Sequence, residues 1–376
     1  MKIFNKRFFI FILIFLLIDF VTSKIFFKNL KSWNLDLYKG KPWRIVSEQY
    51  HHDLSKYINV IEKWGEKSNN LITNSLGFRD FSKRQVSKIN NKKRILLIGD
   101  SFIEGLGYDY EHTLAGLLQN YYGDDYEILN SAVASYSPSI YYFKTKYIIN
   151  EGYKFNKALI FLDLSDVIDE MHLELNFDGT LKRPIKNLNK FNFKKIIYSF
   201  GHFLRENFIT FRFFSILSDQ SEIFKNYLKD RHYASKLFNK DFSKTSKKDL
   251  NLFRMITAKR GNWIKNKKTF TAANEGLYKS EISLKKLFNL LNKNKVESYL
   301  IIYPWPSQIY HDNFYYENFW NDFTSRENIK FINLHPYFDG RNKEEIIYEN
   351  FIKGDIHWNK KGTLLIFKAI KEKRIL

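Results

Sequence analysis

The sequence predicts an α/β protein, a parallel sheet in three layers with helices on both faces and a helical insertion. Three observations predict it. Strand candidates recur at residues 94–98, 126–129, 158–163, 298–303 and 330–333. Tyr126-Glu-Ile-Leu and Ala158-Leu-Ile-Phe-Leu lack the polar alternation of a half-exposed strand, as expected of strands covered on both sides. Helical stretches separate these runs, at 111–121, 139–151, 276–293 and 361–372. In the third, Leu277, Ile282, Leu284, Leu287, Leu290 and Leu291 recur at helical spacing. Strands alternating with helices read as a doubly wound domain.

Taken in order, the chain opens on Lys2, Lys6 and Arg7, followed by the apolar run Phe8–Ile18 and, after Asp19, by Phe20-Val21. A basic flank before an apolar run reads as a secretory signal or signal anchor. Val21-Thr-Ser23 offers the small residues a signal peptidase takes, but apolar character resumes at Ile25-Phe-Phe27. The expectation is an uncleaved anchor over 1–27, single-pass in the inner (cytoplasmic) membrane, with the rest of the chain extracytoplasmic or periplasmic. Residues 28–90 show no clean periodicity and read as a linker and a lead-in packed on the main domain. Within it, Thr73-Asn-Ser-Leu-Gly-Phe-Arg-Asp80 is a polar-flanked turn with Phe78 as a plug, a loop that covers the sheet edge. The main domain is expected over 91–376. Residues 175–275 break its rhythm and read as a helical cap near the C-terminal strand edge, where α/β sites lie. The amphipathic pieces Phe193–Phe200 and Phe208–Leu217 also suit a membrane-surface helix.

Composition narrows the partners. Formal net charge is +21, but the lysines are spread along the chain among Asn, Ile, Phe and Tyr, so no nucleic-acid partner is expected. With no cysteine, disulfides, thiolate catalysis and Cys-ligated metals are excluded. The other histidines, among them His51-His52 and His335, lack ligand spacing, and neither metal nor cofactor is expected. Tyr303-Pro-Trp-Pro306 follows a strand and reads equally as pocket lining or as a rigid loop.

Two motifs carry chemistry. Gly99-Asp-Ser101 ends the first strand of the alternation and opens a helix, which suits a presented nucleophile and a helix cap equally well. Near the C-terminus lies Gly354-Asp-Ile-His-Trp-Asn359. Asp355 and His357 stand two apart, so an extended turn projects both to one side, and the carboxylate can hold the imidazole in the tautomer that accepts a serine proton. The chain order Ser, Asp, His is a workable triad order.

These motifs, with Asn74–Arg79 ahead of them, resemble the SGNH (GDSL-type) hydrolase superfamily and its membrane-anchored bacterial branch, over residues 70–170 and 275–372. The resemblance implies a flavodoxin-like sheet and a Ser–His–Asp mechanism: Ser101 as nucleophile, His357 as general base, Asp355 as its orienter. It also implies an oxyanion hole made of the Ser101 N–H, the N–H of Ser135 in the usual Gly position, and Ser165 in place of the usual Asn. Asp166 matches the acid that follows. Asp163 is an additional carboxylate, read as a hydrogen-bonded loop acid. The implied function is an exported, membrane-anchored serine esterase acting on an O-acyl ester of a surface glycan or lipid. A polysaccharide O-acyltransferase fed by a membrane acyl-donor protein would use the same triad. A non-catalytic glycan-binding protein on the same fold is the third reading, suggested by the missing Asn.

Overall fold

The computed structural model describes residues 2–29, 43–65, 67–174, 201, 203–204, 207–340 and 342–375. They form two units, Trp43–Pro184 with Ser246–Leu376, and Met1–Pro42 with Ile185–Thr245. The structure thus divides the expected insertion: residues 246–275 belong to the same unit as the sheet, and residues 209–237 to the unit of the N-terminal helix. Residues 175–200, with Phe193–Phe200 among them, lie outside the described residues.

The larger unit begins with two hairpins. Strand β1 (Arg44–Ser47) pairs antiparallel with β2 (His51–Leu54), and β3 (Asn59–Trp64) with β4 (Lys67–Ile72). Then follow β5 (Lys93–Ile98), α2 (Ser101–Glu104), α3 (Leu114–Tyr122), β6 (Tyr126–Asn130), α4 (Pro138–Asn150), β7 (Lys157–Leu162) and α5 (Leu164–His172). In the second unit α1 (Lys2–Asn29) stands with α6 (Ile209–Leu237). The first unit resumes with α7 (Lys247–Ile256), α8 (Lys267–Thr271), α9 (Asn274–Lys293), β8 (Glu297–Ile302), α10 (Pro306–His311) and α11 (Tyr315–Arg326). It ends with β9 (Lys330–Asn333), α12 (Lys343–Asn350) and α13 (Lys360–Glu372).

Strands β5 to β9 form one parallel sheet in the order β6-β5-β7-β8-β9. Numbered by chain position this is 2-1-3-4-5, the flavodoxin-like order, whose ligand crevice opens where the winding reverses, beyond the C-terminal ends of the first and third strands. Successive strand residues face opposite sides. The unbroken burial of Ile95–Ile98, Ala158–Leu162 and Leu300–Ile302 therefore means that both faces are covered, as the apolar runs predict. Helix α9 packs on α4 and α5, and α13 on α3 and α12. Truncating a side chain such as Leu97 in this core costs about 2–5 kcal/mol.

The segment 73–80 covers the C-terminal end of the edge strand β6. Arg79 bridges to Asn130 at the end of that strand and Phe78 is fully buried, so the plug and edge cover expected from the sequence are both present. The side chain of Asn74 fixes the turn by accepting the N–H groups of Leu76 and Phe78. In the second unit, Arg7–Ile25 of α1 is a 19-residue stretch of mean hydropathy 2.4, long and apolar enough to cross a membrane.

Candidate active site

Strand β5 ends at the reversal point, and Gly99 carries the chain out of it. A Cβ there would meet Cγ1 of Ile103 at 2.6 Å, so only glycine lets the start of α2 fold this tightly onto the strand. Asp100 is the N-cap, its Oδ1 accepting the Phe102 N–H at 3.0 Å. Ser101 follows at the first position of the helix. The cap and the presented hydroxyl, which the sequence leaves as alternatives, are both there.

The loop from Phe351 to Asn359 brings the second motif to the same place. Its base is closed by the Phe351–Trp358 bridge and by the Asn359 N–H donating to the Asn350 carbonyl at 2.9 Å. Asn359 also caps α13, accepting from the N–H groups of Lys361 and Gly362. Inside the loop, Nδ1 of His357 lies 2.5 Å from Oδ1 of Asp355, and the His357 Nε2 lies 2.8 Å from Oγ of Ser101. Residues 256 positions apart thus form one hydrogen-bonded chain. His357 is 5% exposed and Ser101 9%, so the pair lies on the floor of the site.

A third element holds the acid. Trp64, at the end of β3, donates its Nε1–H to Oδ2 of Asp355 at 3.0 Å and sets its ring edge against the imidazole, with centroids 5.2 Å apart. Burial alone would raise the Asp355 carboxyl. The hydrogen bonds and charge of His357, helped by Trp64, outweigh burial and hold it below the ordinary carboxylate range. His357 shows the mirror effect: burial pulls it down, while Asp355 first, then Asp100 and Asp163, raise it above its usual value. Trp64 stands in the lead-in with no local signal for a role, because its partner lies 291 residues downstream.

Behind Ser101 lies a second set of acids. Its Oγ is 2.9 Å from Oδ2 of Asp100, so its single proton goes either to Asp100 or to His357. Asp163 caps α5 in a capping box with Asp166: its Oδ1 accepts from Ser165 N–H at 2.7 Å and Ser165 Oγ–H at 2.8 Å. Its Oδ2 accepts the Trp305 Nε1–H at 2.9 Å and the Tyr303 hydroxyl at 3.3 Å. Asp166 Oδ2 accepts from Tyr141 and from the Asp163 N–H, both at 2.9 Å. The carboxylates of Asp100, Asp163 and Asp166 lie within 4.8 Å of one another, all buried. Burial first, and then their mutual repulsion for Asp100 and Asp166, raises them: Asp100 to about 7, Asp163 above its usual value, Asp166 well above it. Such a cluster takes up protons.

The oxyanion candidates separate. Ser165 is fully buried and its hydroxyl proton is directed at Asp163, with Asp100 next at 3.4 Å. Asp166 holds the base of α5. Tyr303 and Trp305 are likewise fully buried behind Ser101, where they donate to Asp163. Ser135, by contrast, is exposed and adopts a φ of +65°, the left-handed conformation that suits the usual glycine. The residue before it, Ala134, is held at both its N–H and its carbonyl. Ala134 N–H donates to Oε2 of Glu104 at 2.6 Å, and the Ala134 carbonyl lies 2.9 Å from Nε2 of His52, which must be the donor there. In a trans peptide the C=O and the following N–H point opposite ways, so anchoring the carbonyl aims the Ser135 N–H. Burial, the largest influence, lowers His52 to about 4 and keeps it neutral at ordinary pH. Like Trp64, His52 comes from the lead-in hairpins and has no signal of its own in the sequence.

No protein-family model matches this sequence, and no curated protein does. Among solved structures the chain is similar to the psychrotrophic esterase EstA from Pseudoalteromonas sp., with 11% identity, a TM-score of 0.37 and 75% of this chain and 96% of that one covered. It is also similar to the acetyl xylan esterase AlAXEase, with 10% identity, a TM-score of 0.37 and coverages of 75% and 100%. A GDSL-like lipase from Bacteroides thetaiotaomicron has 9% identity, a TM-score of 0.37 and coverages of 77% and 93%.

Proposed function

We propose that this chain is a serine esterase of the SGNH type, anchored in the membrane by α1, that cleaves an O-acyl ester of a surface glycan or lipid. The observation that carries the reading is the hydrogen-bonded chain Asp355–His357–Ser101, with separations of 2.5 and 2.8 Å, at the reversal point of the sheet. His357, held in the Nδ1–H tautomer by Asp355, takes the Ser101 proton as Oγ attacks the acyl carbon. The negative charge moves onto the carbonyl oxygen, where the N–H groups of Ser101 and Ser135 stabilise it. His357 then passes its proton to the departing alcohol oxygen as the ester C–O bond breaks, leaving an acyl group on Ser101. Water, deprotonated by His357, attacks that acyl group, releases the acid and restores the serine. The recess between Ser101, His357, Leu106 and Tyr108 measures ≈ 10 Å³, room for about one water.

The test is labelling of the purified full-length chain with a fluorophosphonate probe, beside turnover of an activated acetyl ester. Ser101 is expected to carry the label, and Ser101→Ala to lose both label and turnover while keeping its thermal transition. Turnover retained by Ser101→Ala sinks the assignment. With a sugar oligomer present, release of free acid distinguishes the esterase from an acyltransferase, which would move the acyl group onto the sugar.

A further inference from the structure

The unit formed by α1 and α6 holds a carboxylate inside an apolar span. Asp19 sits six residues before the end of the Arg7–Ile25 stretch and is buried. A charge at such a place is costly unless it is partnered. Its partner is the start of α6: Oδ1 accepts the Ile209 N–H at 3.1 Å, and Oδ2 accepts the Thr210 N–H at 3.2 Å. A carboxylate at a helix N-terminus satisfies free N–H groups and meets the positive end of the helix dipole. Two contacts extend the junction toward the end of the span. Phe20 packs on Phe208 with centroids 5.8 Å apart, and Lys24 Nζ donates to Asn207 Oδ1 at 2.7 Å.

This junction fixes the depth at which α6 begins. Six residues of helix rise about 9 Å, so Ile209 starts about that far inside the end of the apolar span. That is the depth, roughly 5–10 Å, at which amphipathic helices lie in the boundary between headgroups and acyl chains. The composition of α6 suits that position. At 100° per residue, Phe213, Phe214, Leu217, Ile223, Phe224 and Leu228 share an arc of about 180°. All six are exposed. Lys225 and Lys229, also exposed, lie on the opposite arc with Glu222. From Phe213 to Leu228 the apolar stripe runs about 22 Å, too long to be an incidental exposed pair.

We infer that α6 is an interfacial membrane helix, its Phe213–Leu228 stripe embedded in the same leaflet as the C-terminal end of α1 and tied there by Asp19. The inference rests on the proposed membrane location of α1 and is independent of the esterase chemistry. The occupant of the stripe is lipid, because Asp19 ties the start of α6 inside the apolar span, and Lys225 and Lys229, beyond one edge of the stripe, suit anionic headgroups.

The sequence contains no cysteine, so single-site spin labels can be placed without removing any residue first. Full-length protein carrying Phe213→Cys, Leu217→Cys or Phe224→Cys would be labelled and placed in nanodiscs of phosphatidylethanolamine and phosphatidylglycerol, one chain per disc. Lys229→Cys and Leu13→Cys serve as references. The collision ratio of oxygen to a water-soluble nickel chelate is expected to favour oxygen at 213, 217, 224 and 13, and to change sign at 229. Nickel access at 213, 217 and 224, with oxygen favoured at 13, overturns the interfacial helix while leaving α1 in the bilayer. Labels at those three sites shielded from both reagents mean that protein covers the stripe, which also overturns it. Nickel access at 13 as well removes the anchor reading itself, and this inference with it.

Discussion

Ser101 stands between two sets of aspartates, and the same side chain is driven in opposite directions on its two sides. Asp355 is partly exposed, hydrogen-bonded by Trp64 and His357, and held ionised. Asp100, Asp163 and Asp166 are fully buried and share only neutral donors and one another, and all three are raised. Environment and not residue type decides which carboxylate can steady an imidazolium and which must hold a proton. The seryl hydroxyl, within hydrogen-bond distance of both sets, has a productive partner in His357 and an idle one in Asp100.

The largest effect expected from disturbing this contrast is on the ionised side. Asp355→Asn keeps the shape but presents an N–H₂ where the imidazole N–H must be accepted, which favours the wrong tautomer. Turnover of the acetyl ester should fall about 10⁴-fold. The parent rate depends on neutral His357, whose affinity for protons is raised, so its acid limb should lie above the usual histidine value of about 6.5. In the variant the residual limb moves to lower pH. An unchanged limb would show that Asp355 does not set the base.

A smaller loss is expected where the oxyanion peptide is aimed. His52→Ala removes the donor to the Ala134 carbonyl but leaves the Ser135 N–H in place, so the cost should stay below the ~10²–10³ of a deleted donor. About tenfold in kcat with little change in KM is expected. His52→Gln, which can still donate, should recover most of it; if Gln and Ala behave alike, His52 only fills space.

How far this site was legible beforehand follows from the range of each interaction. The central sheet strands announce themselves, because burial on both faces writes apolar runs such as Ala158–Leu162 into local sequence. Helix α13 does so through its amphipathic spacing. The hairpins from Arg44 to Ile72 are short strands of mixed polarity, with neither alternation nor an apolar run to mark them, so the lead-in reads as irregular. Trp64 and His52 reach their partners across 291 and 82 residues, and only the fold can bring them there. Ser165 illustrates the converse. Alignment with a motif gives it a position but not the direction of its proton, which the neighbouring Asp163 captures. Ser165→Ala should accordingly change kcat less than about threefold, well short of a true oxyanion donor.

Asp166→Asn is expected to leave turnover nearly untouched and to be read in stability instead. The folded protein holds a proton on Asp166 far above the value of about 3.9 that the unfolded chain has. Between those two values the native state binds more protons than the unfolded one, so its stability is full at low pH and declines as pH rises. One such proton is worth about 1.4 kcal/mol per pH unit. Asparagine can keep its oxygen toward Tyr141 and the Asp163 N–H and place its N–H₂ at Oδ1, which has no hydrogen-bond partner among the described residues. It imitates the protonated acid without titrating. Thermal unfolding in detergent at pH 5 and pH 8 should therefore show a smaller loss at the higher pH in the variant than in the parent. Equal losses would mean that Asp166 is ionised in the fold, and the division between the two sets of aspartates would then lie elsewhere.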